Sequence, residues 1–136
     1  MSKAQLDDLS KLLSSTIDIS CPHPGDMVGP TFTVCGTYNP TLRCPYRVQL
    51  RVYYMVSGSA VGLEQLFAPN ENPNKFKRTF TLGTVPAQGA DILITARLLS
   101  SSNVPLSPLV SIGVTYDAAT TSDICTGACN AIKAKS

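Results

Sequence analysis

Histidine, glutamate and long apolar runs are scarce in this 136-residue chain. His23 is the sole histidine and lies between two prolines, so a Ser-His-Asp or Cys-His arrangement would have to be built on a turn. It reads as a plain loop histidine. Glu64 and Glu71 are the only glutamates, which leaves little from which to build a carboxylate acid–base pair. Asp91 and Asp117 bracket the last two long strands and read as turn-setting residues. No stretch approaches the ~18 consecutive apolar residues of a membrane-spanning helix. Charge is scarce as well, at 15% of residues against an average of about 25%. Arg43, Arg47 and Arg51 come nearest to a basic cluster, and they fall short of the dense stripe with stacking aromatics that nucleic acid requires. No glycine-rich phosphate loop follows a strand. These absences leave no catalytic, cofactor-binding or metal-ligating residue to nominate, and no small-molecule substrate, nucleic acid or membrane insertion is expected.

What is present is alternation. Ile17 and Ile19 alternate with Asp18 and Ser20, and Phe32 and Val34 with Thr31, Thr33 and Cys35. The clearest pattern spans residues 46–56, where Tyr46, Val48, Leu50, Val52 and Tyr54 alternate with Arg47, Gln49, Arg51 and Tyr53. A period of two over that length specifies a strand with one buried face. Tyr46 and Tyr54 then belong to the core, and Tyr53 stands on the opposite face with Arg47 and Arg51 as the better candidate for contact. Residues 61–67 read as a further short strand, with a helical turn as the alternative. Phe76, Phe80 and Leu82 share a face with Arg78 between them. Ile92, Ile94, Ala96 and Leu98 form another buried face, and Val110, Ile112, Val114 and Tyr116 share one face of a last strand. Proline, glycine and asparagine punctuate these runs at residues 22–26, 39–40, 57–59, 70–74, 83–89 and 100–108. About seven short strands without a crossover helix predict two packed antiparallel sheets, not a parallel α/β sheet.

The ends differ from this middle. Leu6, Leu9, Leu12 and Leu13 recur at helical spacing after a capping Ser2, so residues 1–15 are expected to form a helical docking segment. Residues 16–118 form the sandwich. Residues 119–136 form a partly helical tail, with Ile124, Ala128 and Ile132 as its apolar stripe and Lys133 and Lys135 near its negative end. A helix of about three turns is marginal alone in water, so both ends are expected to dock on the sandwich or on a neighbouring chain. Residues 1–15 lack the continuous apolar core of a secretory signal and carry Asp7 and Asp8, which points to residence in a virion or the host cytoplasm. The alternative is an extracellular surface, with a leader removed.

The five cysteines are Cys21, Cys35, Cys44, Cys125 and Cys129. An odd count leaves at least one thiol unpaired within the chain. In a reducing compartment all are expected to act as small buried hydrophobes. A disulfide such as Cys35–Cys44 is the rival reading. Cys125 and Cys129 would share a helix face and could supply half of a zinc site, with the rest drawn from Cys21, Cys35, Cys44 or His23.

The run Pro24-Gly25-Asp26-Met27-Val28-Gly29-Pro30-Thr31-Phe32-Thr33-Val34-Cys35-Gly36-Thr37-Tyr38 resembles the opening of bacterial and phage immunoglobulin-like domains, where a Pro-Gly turn leads into a Phe-x-Val-x-Gly strand. The later order of strands is compatible over roughly residues 17–116. Two antibody hallmarks are missing, the buried tryptophan and the matching cysteine spacing. The resemblance implies an all-β, immunoglobulin-like antiparallel β-sandwich with short helical segments at its termini, and a fold does not assign a function.

The expectation that follows is a non-enzymatic structural or interaction protein. It would work through protein partners, by self-association or within a larger assembly, such as a decoration protein on a phage or virus capsid or tail. The alternative is an extracellular adhesion or carbohydrate-binding module.

Overall fold

The computed structural model describes residues 16–39, 46–68 and 74–120, and the two terminal segments expected to be helical, 1–15 and the greater part of 119–136, lie outside them. The described residues form eight strands: β1 (Thr16–Cys21), β2 (Met27–Val28), β3 (Thr31–Asn39), β4 (Tyr46–Val56), β5 (Ser59–Phe67), β6 (Lys75–Thr81), β7 (Asp91–Ser100) and β8 (Val110–Tyr116). They pair as a three-stranded sheet, β1-β3-β6, and a five-stranded sheet, β2-β8-β7-β4-β5. In immunoglobulin lettering these are A-B-E and A′-G-F-C-C′, so the fold is an all-β immunoglobulin-like sandwich. All pairings are antiparallel except that of β2 with β8.

Alternation drives the layering. Val48, Leu50 and Val52 of β4 and Ile92, Ile94, Ala96 and Leu98 of β7 are fully buried at the centre of the larger sheet. Phe32, Val34 and Phe76 meet them from the smaller sheet in one continuous core. Each such aliphatic or aromatic side chain contributes about 1.5–3 kcal/mol by leaving water. Tyr54 is buried as expected, with its hydroxyl donating to Thr84 O at 2.9 Å. Tyr38 and Tyr116 join the core, and Tyr46 packs at its margin, edge-on to Tyr38 at 5.7 Å. Arg78, in line with the core-facing phenylalanines of β6, escapes to the sandwich edge and covers the Phe67 ring at 4.1 Å.

The Phe-x-Val-x-Gly motif has a steric reason. Phe32, Val34 and Gly36 are the inward positions of β3, and a Cβ on Gly36 would lie 1.9 Å from Asp18 O and 2.6 Å from the Phe76 ring. The missing side chain makes room for that ring.

β2 is the strand that the pattern did not announce, because two residues between Pro24-Gly25 and Gly29-Pro30 cannot alternate. Pro22 ends the pairing of β1 with β3, and the chain crosses to the other sheet. There Gly25 N donates to Gly113 O, and Asp117 N to Val28 O. Between β4 and β5, Ser57 and Gly58 both take positive φ, 49° and 82°, as a two-residue hairpin of primed type requires. The long β7–β8 connection folds back on its own strand. Leu106 N donates to Leu98 O, and Leu98 N to the Ser107 hydroxyl.

Candidate interaction surface

The outer face of β8-β7-β4-β5 is the broadest exposed sheet surface among the described residues, and strand register sets its rows. One row runs Gly62, Tyr53, Leu93, Gly113. The next toward the hairpin places Met55 beside Ala60. Met55, Leu93 and Tyr53 are 52%, 44% and 38% exposed, high for large apolar side chains that stand together. The glycines strip their flanks. The Tyr53 ring lies 3.5 Å from where a Gly62 Cβ would be, and nothing stands within 4 Å of the corresponding point at Gly113. Together these residues line a shallow depression of about 390 Å³ whose ionisable lining is Asp91, Tyr53 and Tyr54.

Beside this apolar end lies a closed polar network. Glu64 Oε2 accepts from Arg51 Nε at 2.6 Å and from Gln49 Nε2 at 2.9 Å. Arg97 Nε donates to Gln49 Oε1 at 2.6 Å, and Arg51 Nη1 to the Tyr53 hydroxyl at 3.2 Å. The Glu64 hydrogen bond first, and Tyr53 second, hold Arg51 above the ordinary guanidinium range. Gln49 is buried beneath the two arginines. The network fixes the planes of both guanidinium groups and pins the Tyr53 hydroxyl, so the ring is presented with little freedom to lose on contact.

Of the residues that the sequence placed on this face, Tyr53 and Arg51 are where they were expected. Arg47 is engaged by a turn. Its guanidinium donates to Ser100 O, Ser101 O and Asn103 Oδ1, fastening the turn after β7, because the turn's carbonyls point at it from within hydrogen-bonding reach. Leu93, Met55 and the two glycines were legible only as the solvent sides of their strands. Register alone brings them together. Arg43 lies outside the described residues.

The cysteine expectations change. Cys21 and Cys35 sit opposite each other in register on β1 and β3 and are buried, as small hydrophobes would be. Both, however, are disulfide-bonded and not reduced thiols. A sulfur in a disulfide has no thiolate lone pair for zinc, so neither can complete the zinc site considered with Cys125 and Cys129. Those two, and Cys44 with its proposed bond to Cys35, lie outside the described residues. Among the described residues no group of three metal-ligating side chains converges. His23 stands in its turn, with its backbone N–H donating to Asp26 Oδ2 at 2.8 Å and its ring 3.6 Å from the same oxygen. Asp117 sets the final turn, accepting from Gln88 Nε2, Ala119 N and the Thr120 hydroxyl. The Gln88 bond first, then that of Ala119, lowers its pKa.

No protein-family profile matches the chain, and no curated protein matches it. Among solved structures it is similar to a superoxide reductase (neelaredoxin) from Ignicoccus hospitalis, at 15% identity and a TM-score of 0.44, covering 86% of this chain and 99% of that one. It is also similar to murine CRIg, at 9% identity and a TM-score of 0.40, covering 76% of this chain and 96% of the other. Neither supports a bacterial or phage origin. The fold, an immunoglobulin-like β-sandwich, rests on the strand order itself.

Proposed function

We propose that this chain is a non-enzymatic interaction protein that presents the outer face of β8-β7-β4-β5 to a protein partner within a larger assembly, such as the surface of a virus or phage particle. The observation that carries this reading is the grouping of Tyr53, Met55 and Leu93, exposed together on a sheet face beside a polar network that satisfies its own groups. Tyrosine, methionine and arginine are the side chains that interfaces favour over the remaining surface. The open space over Gly113, beside Leu93, lets a partner's backbone approach the sheet closely there. An enzyme would need converging groups with perturbed ionisation in a pocket. In the depression on this face, Tyr54 is committed to Thr84 O, which leaves Asp91 and the Tyr53 hydroxyl.

A second reading, an extracellular adhesion module, is favoured by the oxidised state of Cys21 and Cys35, since structural disulfides belong to oxidising compartments. Density-gradient fractionation of the source material, with mass spectrometry to follow this chain, separates the two. Co-migration with large particles at fixed stoichiometry supports the assembly reading. Recovery from the medium or envelope fraction, free of particles, refutes it in favour of adhesion. In either setting the double variant Tyr53→Ser, Leu93→Ser should fold and lose the association. Retained association would remove this face from the proposal.

A further inference from the structure

We propose that the β5 edge pairs with the β5 edge of a second copy of this chain, joining two five-stranded sheets into one continuous sheet about a two-fold axis at Leu63. The inference stands apart from the face described above, because it rests on backbone groups at the rim of the sheet.

An edge strand offers a row of unpaired N–H and C=O groups, and proteins that stay monomeric usually blunt it with lysine, proline, a bulge or brevity. Of the four edges among the described residues, three are blunted. β6 carries Lys75, Lys77 and Arg78. β1 has a register break between Ile19 and Cys21 and runs into Pro22. β2 is two residues long. β5 has none of these devices. It is nine residues, Ser59–Phe67, paired with β4 in unbroken register, with Glu64 its one charge. Among the described residues it is paired on one side only. Ser59, Ala60, Gly62, Glu64 and Leu66 are exposed.

The sequence of β5 says what occupies that edge. Turned on itself about Leu63, the strand keeps all nine residues paired. It then sets Phe67 opposite Ser59, Leu66 opposite Ala60, Gln65 opposite Val61, and Glu64 opposite Gly62. Three of these pairs match a large side chain to a small one, and each Glu64 carboxylate, already held by Arg51 and Gln49, faces a glycine and not its own copy. Centring one residue later would oppose Glu64 to Glu64, which cross-strand pairing disfavours. A foreign strand would have no reason to meet this size pattern. The same strand does.

The test is sedimentation velocity of the full chain from roughly 10 μM to 1 mM, the range in which an interface of single-strand width is expected to associate. Ala60 and Leu66 are exposed and face each other across the proposed axis, so a pair of substitutions reads the register. Ala60→Lys with Leu66→Lys opposes like charges twice and should weaken the dimer at least about tenfold. Ala60→Lys with Leu66→Glu places opposite charges in both pairs and should restore it. A wild-type chain that remains monomeric throughout overturns the proposal, as does a dimer that both variants affect equally. A dimer lost in Tyr53→Ser, Leu93→Ser and untouched by the lysine pair would overturn the edge and favour the face. Circular dichroism verifies that each variant is folded.

Discussion

Gly36→Ala should be among the most damaging single-methyl additions in this protein. The new Cβ would lie 1.9 Å from Asp18 O and 2.6 and 2.9 Å from two carbons of the Phe76 ring. Ordinary carbon–oxygen contact begins near 3.3 Å, so about 1.4 Å must be found. One obstacle is backbone of the paired strand β1. The other is a ring with no exposed surface. Neither is the free end of a flexible side chain. Relief requires β1 to move away from β3, weakening the ladder around Ile19 and Gly36, or Phe76 to leave its rotamer. Overpacking of this kind costs about 1–3 kcal/mol, and each ladder hydrogen bond lost adds about 1 kcal/mol. A loss of at least about 2 kcal/mol is expected. At a few degrees per kcal/mol, that lowers Tm by about 6–12 °C. Urea denaturation followed by circular dichroism measures it, with Thr37→Ala at the exposed neighbouring position as the control. Phe76→Leu, costly alone, should cost less in the Gly36→Ala background, because it removes part of the obstacle. A Gly36→Ala protein within about 0.5 kcal/mol of wild type would refute the packing argument.

Two further outcomes follow from the cysteines and from Asp117. With Cys21 and Cys35 oxidised, denaturation without reductant should expose no more than three of the five thiols to a thiol-reactive dye. Reduction should also lower stability by about 2–5 kcal/mol, and five reactive thiols before reduction would contradict the assignment. Hydrogen bonds from Gln88 and Ala119 depress the pKa of Asp117, so its stabilising effect is present above the ordinary value near 3.8 and is lost as the pH falls through the depressed folded value. Asp117→Asn should flatten that acid limb of the stability curve, and an NMR titration of the carboxyl at or above 3.8 would show the reasoning to be wrong.

Much of the candidate surface was half-legible. Period-two alternation in residues 46–56 puts Arg51 and Tyr53 on the solvent side of β4 whatever the sheet order is. It cannot say that Leu93 and Gly113 flank Tyr53, because neighbours across a sheet depend on which strands pair and in what register. Arg47 shows the same limit from the other side. It shares a face with Arg51 by alternation, yet the turn after β7 captures it, and a loop fifty residues away leaves no trace in local pattern.

The sequence by itself determined the class of fold, since half-polar strands punctuated by proline and glycine must each cover one face, and a second sheet is what covers it. It also determined the core tyrosine Tyr54, the turn role of Asp117 and the turn at Ser57-Gly58-Ser59, all of which arise from residues close in the chain. Alternating strands of this number fit a jelly roll as well as an immunoglobulin arrangement, and only the tertiary structure decided between them. That choice rests on β4 pairing with β7, and on β1 handing over to β2 across the sandwich, both long-range pairings. Tertiary structure likewise decided the oxidation of Cys21 and Cys35, because a disulfide depends on which sulfurs the fold brings within bonding reach. And among the described residues it placed β5 at the edge of the larger sheet, a fact about the order of strands that no single strand carries.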